Sequence, residues 1–180
     1  MFVMFNSEAR AYHPDSTTVI ISVGGCDWLV DISFECSITA GVPSEFAITR
    51  FLLANTPCAT SLSDDEIARA LGRMISDNPL LYITACNWYY TPCPTYSNPW
   101  RKQEYKCWSK RLDAFSNVIY EPCYDGGGCQ TEYEHCFDPL TGEVESRKNG
   151  WFRDYDGTIN CDWIPNPPPN TCFKVWTECD

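Results

Sequence analysis

The stretch STTVIISVGGCDWLVDISFECSI, residues 16–38, decides the fold. Its first eight residues, 16–23, are rich in β-branched side chains, which favour extended backbone. Gly24-Gly25 then offers two positions that tolerate positive φ, the requirement of a tight hairpin turn. Beyond the turn, Trp28, Val30, Ile32, Phe34 and Cys36 alternate with Leu29, Asp31, Ser33, Glu35 and Ser37. A period of two with one apolar set is an antiparallel strand half-buried against a core. The spacing predicts a hairpin.

Working outward, EFAITRFLLAN (45–55) fits a strand or a short helix, and the mid-run Ile48 and Thr49 favour the strand. Ser63 followed by Asp64, Asp65 and Glu66 reads as a capping box with acids at the positive end of a helix. Ile67, Ala70, Leu71, Met74 and Ile75 share one helical face, and Asn78-Pro79 ends it, so an amphipathic helix near 64–76 is expected to lie across the sheet. LLYITACNWYY (80–90), SNVIYEPC (116–123), CQTEYEHCF (129–137), GEVESRK (142–148) and CFKVWTEC (172–179) read as further strands. DPLTGEV (138–144) has hairpin-turn composition, and NPPPN (166–170) reads as an extended spacer. The fold class is therefore mainly β, built of antiparallel hairpins with one amphipathic helix. Residues 12–165 form one domain, with a possible division near 86, followed by a Pro-rich spacer and terminal strand over 166–180.

The chain has 180 residues, 44% of them hydrophobic and 21% charged, which suits a globular core. A net charge of −11 makes nucleic acid a poor partner. No run approaches the ~20 apolar residues of a membrane span. MFVMFNSEARAYHP at the N-terminus reaches Ala9-Arg10-Ala11, an A-x-A cleavage pattern. Residues 1–11 read as a signal-peptide remnant before Tyr12; an apolar first strand is the alternative. Twelve cysteines (Cys26, Cys36, Cys58, Cys86, Cys93, Cys107, Cys123, Cys129, Cys136, Cys161, Cys172 and Cys179) are spread along the whole chain. An even, dispersed set argues for disulfides rather than for paired zinc ligands, and hence for an oxidising compartment.

Within CYDGGGCQTEYEHC (123–136), Cys123, Cys129, His135 and Cys136 could hold zinc, but adjacent residues of a strand point to opposite faces. A hairpin stapled by disulfides, turning at Gly126-Gly127-Gly128, is the preferred reading. A cysteine nucleophile would have only His13 or His135 as base. Glu132 with Glu134, and Asp154 with Asp156 near Trp151, are carboxylate pairs that could serve glycoside hydrolysis, although a solvated strand face explains them as well. Asp154, Asp156 and Asn160 in RDYDGTIN (153–160) begin like a calcium loop, yet lack the closing glutamate. No cofactor is expected, with calcium at Asp154, Asp156 and Asn160 as the alternative. NWYYTPCPTYSNPW (87–100) crowds aromatics around prolines, and Trp88, Tyr90 and Trp100 are the candidate ligand platform.

CNWYYTPCP, KCW, EPCYDGGGCQTEYEHCFDPLTGEV and INCDW resemble the cysteine- and tryptophan-rich modules of uncharacterised bacterial extracellular proteins. The resemblance covers residues 16–164 and implies secretion and β-structure, with no catalytic motif to carry over. The expected function is that of a secreted structural, adhesive or self-assembling surface protein, with residues 172–179 as a donor strand for a neighbouring copy. A glycan-binding module is the first alternative and a small hydrolase using acidic residues the second. Partners are itself or surface glycans, and an enzymatic role is disfavoured.

Overall fold

The computed structural model describes residues 15–36, 44–54, 58–78, 91–96 and 99–180. The expected leader (1–11), the strand at 80–90, Trp88 and Tyr90 lie outside these residues.

β1 (Asp15–Val23) and β2 (Cys26–Glu35) form the expected hairpin, paired in register from Asp15↔Phe34 to Val23↔Cys26. Gly24 and Gly25 both adopt positive φ, 62° and 79°, which glycine reaches without strain in a two-residue hairpin turn. β3 (Ser44–Leu53) lies antiparallel to β2, so its strand reading holds. α1 (Asp64–Asp77) follows, with Glu66 accepting hydrogen bonds from the Ser63 backbone N–H (2.8 Å) and hydroxyl (2.7 Å). Its buried stripe is Ile67, Ala68, Leu71, Gly72, Ile75 and Ser76, rotated from the expected one. Met74 turns outward because the helix settles on its small residues. A Cβ at Gly72 would stand 3.4 Å from the Glu104 carboxylate and 3.6 Å from Lys102 Nζ.

The remaining strands are β4 (Trp100–Tyr105), β5 (Cys107–Leu112), β6 (Val118–Pro122), β7 (Gly128–Phe137), β8 (Val144–Tyr155) and β9 (Cys172–Lys174). The free edge of β3 is divided between two partners. Ser44–Ala47 pair with β4 in parallel, while Phe51 and Leu52 pair with β6 in antiparallel. The sheet therefore forks into a β4-β7-β8 branch and a β6-β5-β9 branch. Strands from either side of residue 86 share this one sheet. The core lies between its inner face and α1, where Phe51 stacks on Tyr120 at 4.5 Å and meets Trp28 edge-on at 5.8 Å. Tyr120 donates to Asp64 of the helix (2.7 Å), and burial raises its phenol pKa far above the ordinary value.

Among the described residues five disulfides brace the fork: Cys26–Cys58, Cys93–Cys136, Cys107–Cys161, Cys123–Cys172 and Cys129–Cys179. Cys36 is also disulfide-bonded. The stapled-hairpin reading of 123–136 needs correction. None of its three cysteines bonds another, and β6 and β7 do not pair, because each belongs to a different branch. The glycines serve a close backbone crossing instead. A Cβ on Gly157 would lie 1.9 Å from the Asp125 carbonyl oxygen and 2.1 Å from Gly127 N. Gly157→Ala is therefore expected to cost at least about 1–3 kcal/mol of stability, measured by chemical denaturation. DPLTGEV does form a hairpin turn, with Gly142 at φ 76° and the Asp138 N–H donating to Glu143 O.

Candidate functional site

Alternation along β7 divides its side chains between two environments. Thr131 and Tyr133 face the helix side with Lys102. Gln130, Glu132 and Glu134 face outward, beside Arg101 and Gln103 of β4.

On the inner side, Lys102 is almost fully buried, yet its ammonium lies 3.0 Å from both Glu104 and Glu178. Glu178 also accepts from the Tyr133 hydroxyl (2.7 Å) and from Lys148 (2.5 Å), and its backbone N–H donates to Glu104 (3.0 Å). Burial opposes ionisation of Glu178, but the Lys102 charge, Lys148 and Tyr133 outweigh it and hold the carboxyl at about 2. This network ties the C-terminal tail to β4 and β7, one residue from the Cys129–Cys179 bridge. Beside it, under α1, a cavity of about 30 Å³ lined by Phe46, Gly72, Lys102, Trp108 and Trp176 has room for one or two waters. It is too small for a sugar ring.

On the outer side, β8 bulges. Thr131 pairs with Phe152 and Tyr133 with Lys148, so Asn149, Gly150 and Trp151 together oppose Glu132, with Gly150 at φ 86°. Bulges re-aim side chains, and here Trp151 is brought over Arg101, whose guanidinium carbon lies 4.3 Å from its ring centroid. Arg101 is fixed from beneath by Glu132 (2.8 Å) and Glu45 (3.3 Å), and Asn149 donates to the other oxygen of Glu132 (3.0 Å). Two residues along β7, Arg147 pairs with Glu134 (2.8 Å) and lies 3.6 Å over Tyr96. At the far end Arg153 stands 5.8 Å from the ring of Tyr155. The outer face is thus a row of arginine–aromatic stacks in which Arg101 and Arg147 are already paired with carboxylates, while Arg153 is exposed at one end.

The residues expected to bind separate accordingly. Trp100 is fully buried in the core, so it forms no exposed platform. Glu132 and Glu134 share a face as expected, but each serves an arginine. Asp154 and Asp156 do converge, on the Lys106 ammonium (3.7 Å from Asp156), so the cation position of the calcium reading holds a lysine. Asn160 lines the adjoining cleft with Lys106 and Lys174. Cys93, Cys136 and Glu145 cluster at metal-ligand distances, but both sulfurs are in one disulfide and offer no thiolate. The same bridge removes Cys136 as a nucleophile beside His135, whose imidazole burial pushes down to about 4. Trp151, Tyr96 and Arg101 were missed as a group because they come from three distant segments; the one local signal was Trp151 beside the outward carboxylates.

No protein-family model, curated protein or solved structure matches the chain.

Proposed function

We propose that the protein is an extracellular adhesive or structural protein of a cell surface, working by presenting a rigid sheet face rather than by catalysis. The observation that carries this reading is the bracing. Each bridge joins residues 32 to 54 positions apart, and together they fasten both branches of the fork. Multiple long-range disulfides suit an oxidising compartment and a domain that must persist there. No helix among the described residues is long and apolar enough to cross a membrane. The test is fractionation of the native host. The protein is expected in the medium or on the cell surface with its thiols blocked; a cytosolic, reduced pool would sink the reading.

Strand donation by residues 172–179 is not retained. Phe173 and Val175 are core residues, β9 pairs with β5, and Cys172 and Cys179 are bonded within the chain. Self-association is better placed at β1, which among the described residues pairs with β2 alone, carries no charge over 16–23 and leaves Ile20 largely exposed. Uncharged edge strands of this kind pair with other copies. Antiparallel β1–β1 pairing would give a closed dimer. Ile20→Lys is expected to shift sedimentation to monomer with Tm unchanged; a dimer indifferent to the substitution would remove β1 from the interface.

A further inference from the structure

We infer that the outer face of the β4-β7-β8 branch binds an uncharged polysaccharide chain, with Trp151 as the central platform. This rests on the adhesive reading above and names what the protein adheres to. The geometry supplies the two elements that sugar recognition needs. Aromatic planes meet the apolar C–H faces of pyranose rings, and fixed polar groups meet their hydroxyls. Trp151 is 38% exposed, while Arg101, clamped between Glu45 and Glu132, stands against its ring and limits its freedom. Tyr96, oriented by Arg147 and by its own hydroxyl bond to Glu145 (3.3 Å), lies further along the face, and Tyr155 stands at its other end. Rows on one face of a strand repeat about every 6.6–6.8 Å, so the stacks form a linear track rather than a pocket. A linear track fits a polymer.

Charge decides the class of polymer. Arg101 and Arg147, the two cations beside Trp151 and Tyr96, are neutralised by Glu45, Glu132 and Glu134, and Arg153 at the Tyr155 end adds a single exposed cation, so the track offers an anionic chain little unpaired charge. The net charge of −11 repels such a chain further. Those same carboxylates are occupied by arginines and leave a polycation little to pair with.

The test uses the intact, oxidised protein in affinity electrophoresis and pull-down. The probes are uncharged polysaccharides (cellulose, xylan, mannan and β-1,3-glucan) and anionic ones (alginate and hyaluronan). Retardation by at least one uncharged polymer is expected, with none by the anionic pair. Trp151→Ala should weaken that binding about tenfold or more, as loss of a central aromatic anchor does. Trp151→Phe should restore part of it. Trp176→Ala, removing a similarly exposed tryptophan on the helix side, should bind as the parent does. Unchanged melting and disulfide content separate lost binding from lost fold. Retention by anionic polymers alone, no retention by any, or a Trp151→Ala variant that binds normally overturns the inference. None of these outcomes touches the adhesive reading, which fails only on the location and thiol state of the native protein.

Discussion

Replacing Lys102 by methionine is expected to lower the unfolding free energy by about 3–5 kcal/mol, the usual consequence of removing one partner from a buried ion pair. Methionine fills the space, so packing changes little. What is lost is the cation between Glu104 and Glu178, each 3.0 Å from it. The two carboxylates then face each other beneath α1 with Lys148 as the remaining cation on Glu178. The pH dependence identifies the cause. Glu178 has a folded pKa of about 2, depressed below its unfolded value near 4.3. Its contribution is therefore complete above about pH 4.3 and is lost as pH falls toward 2. In Lys102→Met the folded pKa rises toward the unfolded value, so the acid-sensitive slope due to Glu178 should flatten, and the stability gap between variant and parent should narrow as pH falls toward 2. Glu178→Gln added to Lys102→Met should recover part of the loss. A Lys102→Met protein with unchanged denaturation midpoint and acid profile would show that the network is dispensable.

Removing the Cys129–Cys179 bridge with a pair of serines is expected to cost about 4 kcal/mol, from the loop-closure entropy of a 50-residue separation. This bridge holds the segment that carries Glu178, so the two effects should couple rather than add. Once the tail can leave the sheet, Lys102→Met should cost less in the serine background than in the parent. Strict additivity, measured by a double-mutant cycle in urea, would mean that the tail stays docked without its bridge.

A second acid-sensitive group lies on β7. His135 is buried with its pKa held near 4, below the unfolded value near 6.5. The folded state thus favours the neutral ring, and stability should fall as pH drops from about 6.5 toward 4. His135→Gln should flatten that part of a Tm-against-pH curve and leave the lower limb, set by Glu178, in place. An unaltered upper limb would assign the slope to another group.

The hairpin, the helix start and the turn at 138–144 were legible because each is local. Two glycines, one capping box and one Asp-Pro corner report their geometry within a few residues. The fork was not legible, since it depends on residues 44–47 finding 100–103 in parallel across more than fifty positions. β4 and β5, WRKQEY and CWSKRL, were missed for a different reason. Their inward positions include Lys102, which counts as polar in any pattern but is buried through ion pairing. Trp100 misled in the opposite sense, because proximity to prolines says nothing about which face of a strand a ring takes. Disulfide formation was legible from the number and spread of cysteines, whereas the pairing was not, because it follows the fork.

The most direct measurement is peptide mapping, without reduction, of the protein recovered from the medium or surface of its own host. Linked peptides joining Cys26 to Cys58, Cys93 to Cys136, Cys107 to Cys161, Cys123 to Cys172 and Cys129 to Cys179 are the predicted result. Free thiols at these positions, or bridges that join Cys123, Cys129 and Cys136 to one another, would contradict the braced fork and the extracellular role built on it.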